Sequence, residues 1–265
     1  GKRMSIQVET KDCTALGDAE LAELADLCAE GPIPYEVGLL SKQAEAWVLI
    51  TQVTDNGKLK GFAFSTLERI GGTPCVLIGL ASVKRTAKRD TVLRAIVHDQ
   101  LRRAVLAFPD EDVLVGTKFI DPSGFQAFKG LEDIVPRPGH KATGEERAWG
   151  RRLAKRFGID TYDDRAFVAT GDGSYACCLD HETLKPESID PEVAAFFEPL
   201  DCERGDSLIA FGWAMAEFLA KHQAEYNEVR ARHAGKSAQT RMLDVATARA
   251  AIRGSWQTLA RRSFK

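Results

Sequence analysis

Two stretches of this 265-residue chain gather side chains that could do chemistry. The first, VKRTAKRDT (83–91), places Lys84, Arg85, Lys88 and Arg89 in a turn between an apolar run and an amphipathic helix. A strand that feeds a helix leaves backbone N–H groups unpaired at the helix N-terminus, and with the helix dipole these form an anion site. The four cations suit a diphosphate or a 3′-phosphate. Glycine, which lets a backbone approach a phosphate closely, is missing from the turn; Thr86 and Ala87 stand there instead. Asp90 or Thr91 is placed to cap the helix, and Asp90 puts a negative charge where a phosphate would sit. The turn reads either as an anion cradle or as a solvated basic turn.

The second stretch is SYACCLDH (174–181). Cys177, Cys178 and His181, with Cys202 as a conceivable fourth, are metal-ligand types. Adjacent cysteines lack the C-x-x-C spacing of zinc sites, however, so a buried strand that contains thiols reads better and no metal is expected. Other candidates stand alone. His98 lies near the apolar face of a helix and His140 in the loop PRPGH; Tyr162 and Tyr175 could supply an acid, and Asp121 is placed to cap a short helix.

Composition bounds these readings. With 44% hydrophobic and 28% charged residues and a formal net charge of −2, the chain has a globular profile sufficient for one large domain or two small ones. No apolar run approaches the roughly 18 residues needed to span a bilayer, and the first residues lack a secretion-signal pattern. Six irregularly spaced cysteines suit a reducing compartment, so a cytoplasmic protein is expected. Charge is uneven: from Lys221 to Lys265 ten Lys/Arg face three Asp/Glu, which suggests an intramolecular dock or an anionic partner.

The elements that must position these groups follow from periodicity. SIQVE (5–9) predicts a strand, and the segment after Asp18, taken as N-cap, a helix that ends at Gly31-Pro32. Residues 31–45 show no clear pattern. Strands are expected at 46–54 and 58–70 around an Asp55-Asn56-Gly57 hairpin turn, then at 73–83, an apolar run suited to a strand buried on both faces. The helix after the basic turn has Leu93, Ile96, Val97, Leu101, Ala104, Val105 and Phe108 on one face. A strand at 111–119 should lie parallel to 75–83, because a helix joins them. A short helix at 121–131 and a strand near 133–136 follow. Beyond Gly139, the expectations are a helix at 144–158, strands 165–171 and 174–180 pairing around Gly171-Asp172-Gly173, and a short helix at 191–197. Residues 207–216 fit a strand or a helix start equally. A helical hairpin closes the chain, its second helix carrying Val245, Ala248, Ile252, Trp256 and Leu259 as a stripe.

This order, with the segments 55–68, 77–90 and 113–134, resembles the GNAT superfamily of acyl-CoA-dependent N-acyltransferases over about residues 5–136. The resemblance implies an α/β (α+β) fold with a mixed, mostly antiparallel central sheet flanked by helices. Residues 4–138 would form the acyl-CoA-binding core, 139–212 a continuation or insertion completing the sheet and the acceptor side, and 213–265 the basic helical hairpin. It implies acetyl-CoA or another acyl-CoA as co-substrate, inserted where strand 75–83 splays from 111–119. Leu80, Ser82, Val83, Arg85, Thr86, Ala87, Lys88, Arg89, Asp90, Thr91 and Phe128 would then line the donor site. The family's turn, Q/R-x-x-G-x-G/A, reads R-T-A-K-R-D here, so the pyrophosphate loop is a divergent one. Phe128 occupies the place where the family often carries a tyrosine acid. Glu68 is the nearest candidate base, against a reading as an exposed strand-end glutamate, and Tyr175 is the candidate acid. The implied activity is transfer of an acyl group, expected to be acetyl, to a small-molecule or protein amine. The alternative is an inactive GNAT-like scaffold that binds a protein or other anionic partner through its basic helices. A homodimer through those helices is a further expectation, and nucleic acid is the less favoured partner; no membrane association is expected.

Overall fold

The computed structural model describes residues 5–232. Four antiparallel strands open the chain: β1 (Ile6–Asp12), β2 (Leu49–Asp55), β3 (Lys58–Ile70) and β4 (Thr73–Val83). Asn56 and Gly57 carry the turn between β2 and β3 at φ of 50° and 76°, the left-handed geometry that an Asn-Gly hairpin supplies. Helices α1 (Asp18–Cys28) and α2 (Val37–Ala46) lie between β1 and β2. The N-cap of α1 is Gly17, with Asp18 as the first helical residue rather than the cap. α2 falls in the stretch where the sequence shows no pattern; it buries Leu40 and exposes most of its remaining surface, so its apolar period is too thin to read.

Helix α3 (Arg89–Ala107) returns the chain to β5 (Val113–Phe119), which runs parallel to β4 as expected. A 3-10 turn over Pro122–Phe128 follows, with Asp121 accepting from Ser123 N at 2.8 Å, so the expected Asp121 cap is present. Next come β6 (Glu132–Val135), α4 (Gly144–Arg156), β7 (Tyr162–Asp163), β8 (Val168–Ala169), β9 (Leu179–Asp180), α5 (Pro191–Ala195), β10 (Ser207–Ala214) and α6 (Ala216–Arg232). The sheet order is β1-β2-β3-β4-β9-β5-β10-β8-β7, with β6 also on β10. The fold is thus mixed α/β with a mostly antiparallel sheet.

Residues 207–216 resolve into strand β10, antiparallel to β5. The expected pairing of 165–171 with 174–180 is not formed: β8 pairs with β7 and β10, whereas β9 pairs with β4 and β5. Two-residue strands carry too little alternation to show a partner, and the interior edges of β4 and β5 are better apolar surroundings for Leu179 than a solvated hairpin. The second helix of the C-terminal hairpin lies outside the described residues.

One face of the sheet packs on α1, α2 and α4 through Leu24, Leu40, Leu77, Leu114 and Leu153; the other packs on α3 and α6 through Val76, Ile78, Ile96, Val115 and Leu219. At Gly79 the indole of Trp47, at the end of α2, lies directly on the β4 backbone, and a Cβ there would stand 1.9 Å from the ring. Gly79→Ala is therefore expected to lower unfolding stability by about 2 kcal/mol through overpacking. A denaturant midpoint unchanged from the wild type would contradict that packing.

Candidate functional site

The parallel pair β4–β5 is bonded only from Cys75↔Leu114 to Leu77↔Gly116. Beyond that point the strands part, and β9 enters between them: Ala81 and Ser82 pair with Leu179 and Asp180, and Phe119 pairs with Leu179. Ala81 N donates to Cys178 O at 3.0 Å. The split thus opens toward the basic turn and the N-terminus of α3. Its interior is filled by residues 178–180 of the same chain.

Two of the four cations of the turn, Arg85 and Arg89, are committed to that segment. Arg85 Nη2 donates to Asp180 Oδ1 at 2.7 Å, a pair with 11% and 2% side-chain exposure. Burial pushes the Asp180 carboxyl up, and Arg85 pulls it back toward the ionised form. Arg89 donates to Thr86 O at 3.0 Å and to Glu182 O at 3.1 Å. Asp90 lies in the first turn of α3, whose N-cap is Lys88, so neither Asp90 nor Thr91 caps the helix. Asp90 Oδ1 instead stands 2.9 Å from Nε2 of His181, which is fully buried. Burial holds the His181 imidazole below its ordinary range against the opposing charge of Asp90. Several turn amides also look inward: Thr86 N to Lys84 O, Lys88 N to the Thr86 hydroxyl and Arg89 N to Thr86 O. The remaining side of the segment is tied by Ser123, whose Oγ donates to His181 O at 3.0 Å and accepts from Thr183 N.

The other sequence candidates scatter. Leu80, Ser82 and Val83 are buried on β4, Ser82 opposite Asp180. Phe128 is fully buried in a ring cluster, 5.2 Å from Phe119 and 6.0 Å from Phe125. Glu68 is not an exposed strand end: it accepts from Arg156 Nε at 2.8 Å, and burial raises its carboxyl. Tyr175 is 54% exposed. His98 stacks edge-on against His222, and His140 pairs with Glu146 at 2.7 Å. The Tyr162 hydroxyl is enclosed against Gly150 and α4. Cys178 is buried against Tyr35, whose hydroxyl donates to Ala176 O. Among the described residues no three of His, Cys, Asp and Glu converge as a metal set, and Cys202 is exposed.

A cavity of about 490 Å³ reaches the split from the α2 and α4 side, at Gly79, Lys118 and Cys177, with Tyr175 and Ser174 among its outer residues. Lys118 was not singled out by its sequence context. The available signal was a lone lysine inside VLVGTKF, a strand buried at every residue.

The strand order, the parallel pair that parts and the helix between its members are the arrangement that the sequence resemblance implied. The fold is GNAT-like. Among solved structures, the ribosomal-protein-S18-alanine N-acetyltransferase from Escherichia coli is similar at 11% identity and TM-score 0.42, over 80% of this chain and 95% of that one. An acyl-CoA N-acyltransferase from Pseudomonas aeruginosa is similar at 19% identity and TM-score 0.35, over 48% and 84%. The N-acetylglutamate synthase from Neisseria gonorrhoeae, complexed with coenzyme A and N-acetyl-glutamate, is similar at 15% identity and TM-score 0.38, over 59% and 33%. No family model and no curated protein matches the chain. No helix among the described residues is long and apolar enough to cross a membrane.

Two outcomes test the ties around the split. Arg85→Ala leaves Asp180 buried without its partner and should cost about 3 kcal/mol in denaturant unfolding, with much of the loss recovered in Arg85→Met/Asp180→Leu; a loss below about 1 kcal/mol would show the pair to be exchangeable with water. For His181 the folded state favours the neutral ring, so its contribution to stability is present above an unfolded pKa of about 6.5 and is lost as pH falls through that value toward the lower folded one. Wild-type stability should therefore drop between about pH 7 and 5 more steeply than that of His181→Gln. Parallel pH profiles would refute this.

Proposed function

We propose that the chain is an acyl-CoA-dependent N-acyltransferase whose donor cleft is held shut, in this conformation, by its own residues 178–182. The observation that carries the reading is the split of β4 from β5 over a basic turn and the N-terminus of a nineteen-residue helix. An interior strand edge with free N–H groups can hold an extended acyl-pantetheine chain by backbone bonds, and the cations beside it suit phosphates. The Ala81 amide, now on Cys178 O, is the donor that would polarise a thioester carbonyl in the opened split. The amine acceptor would come through the 490 Å³ cavity, which meets the split at Gly79 and Lys118. There the amine attacks the carbonyl carbon and loses a proton, and the thiolate leaves. Tyr175 at the outer part of that cavity is the candidate proton donor; Glu68, held by Arg156, is available as base only where that pair opens.

The inserted segment is held imperfectly, which supports its displacement. Asp180 Oδ2, Arg85 Nε and His181 Nδ1 are buried without hydrogen-bond partners, and such orphan groups cost about 1–3 kcal/mol each. The same segment favours a second reading, the scaffold without acyl transfer, since it occupies the strand edge and two of the four cations, Arg85 and Arg89. One titration separates the two. Acetyl-CoA should bind the wild type weakly and bind Leu179→Gly/Asp180→Ala at least tenfold more tightly, because the mutant loses the ties that close the split. If neither protein gives heat or thermal stabilisation with acetyl-CoA or longer acyl-CoAs, the scaffold reading stands and acyl transfer falls.

A further inference from the structure

Lys118 is the one buried lysine of the described core, with only 6% of its surface exposed. It points from β5 into the 490 Å³ cavity that α2, the 156–161 turn and residues 170–177 enclose. No carboxylate among the described residues lies within ion-pair reach of its Nζ. Its ionisable neighbours are the Cys177 and Cys178 thiols, and burial pushes both of these up, Cys178 to about 12, which keeps them neutral. The nearest compensation is the face of Phe157, whose ring centroid is 5.2 Å from Nζ. A buried ammonium ion without an anion is costly, and the same burial pushes the Lys118 amine down. A group that costs this much and faces a cavity large enough for a small molecule points to a ligand that supplies the missing charge.

We propose that this cavity binds a small carboxylate with an apolar body, Lys118 being the counter-ion of the carboxylate. The distribution of charge around the cavity selects that class. Its other cation, Arg156, is already committed to Glu68 at 2.8 Å and lies over the Trp47 ring at 4.7 Å. Its acids, Asp160 and Asp172, are exposed, so they surround the entrance. One buried unpaired cation balances a single negative charge, and the two acids at the cavity weigh further against a phosphate dianion. Trp47, Phe157 and Ile159 supply apolar lining for the rest of the molecule. The cavity is the one through which the amine acceptor would come, but the site rests on Lys118 and the cavity lining alone, so it is tested without an acyl donor and separately from acyl transfer.

The test uses the full chain without any acyl donor. Hexanoate and phenylacetate are titrated by calorimetry and followed by thermal shift, each beside its uncharged amide and beside benzylphosphonate. Saturable binding of the acids, at least tenfold tighter than of the amides and of the phosphonate, is the expected result. Lys118→Met, which removes a buried charge at similar volume, should keep or raise the melting temperature and lose at least tenfold in affinity for the acids while leaving the amides unchanged. Equal affinity for acid and amide in the wild type overturns the proposal even where Lys118→Met does not fold. Tighter binding of the phosphonate overturns the monocarboxylate assignment, and absence of binding by any acid overturns the site.

Discussion

Parting two parallel strands in the middle of a sheet exposes two rows of backbone N–H and C=O groups to the interior, and this chain must satisfy them somehow. An edge left bare at that depth would cost the desolvation of every unpaired group. Residues 178–180 answer the constraint by entering as a short strand, and the arrangement around them follows. Asp180 arrives beside Arg85, Glu182 offers its carbonyl to Arg89, and His181 is driven against Asp90 with its ring fully buried. Ser123, already fixed by the Asp121 cap, closes the far side. Two cations of a basic turn that could face an external anion, Arg85 and Arg89, are thereby engaged from within.

The same insertion shapes the neighbouring cavity. By running between β4 and β5, the segment sets Cys177 beside Lys118 and leaves the lysine facing space on the α2 and α4 side. Gly79 lets Trp47 lie flat on β4, and Trp47 in turn carries the Arg156 guanidinium that holds Glu68. Steric freedom at one glycine therefore bears on where a cation of the cavity wall, Arg156, and its partner Glu68 can go. Lys118 alone is left without an anion. In a low-dielectric setting an unpaired cation is costly.

Much of the architecture was legible because long elements state their period. Strands β2 to β5 and helix α3 carry seven or more residues each, with apolar runs or helical spacing set by burial against one another. The Asn56-Gly57 turn and the Asp121 cap were legible because their chemistry is local. Helix α2 was not, as only Leu40 is fully buried along it. The partner of 174–180 was not legible either, because two residues of strand specify no register and the choice between a hairpin and an interior edge depends on a strand about a hundred residues away in sequence.

The sequence by itself determined strands β1 to β5 and helices α1 and α3, the parallel return of β5 through α3, and the placing of four cations at the head of that helix, since each rests on neighbours within a few residues. Only the tertiary structure decided what those cations face. Arg85 meets the Asp180 carboxylate across 95 positions and Arg89 meets the Glu182 carbonyl across 93, while no carboxylate among the described residues pairs with Lys118. Contact at that separation is fixed by which backbone edge needs filling, and no local pattern of residues carries that information.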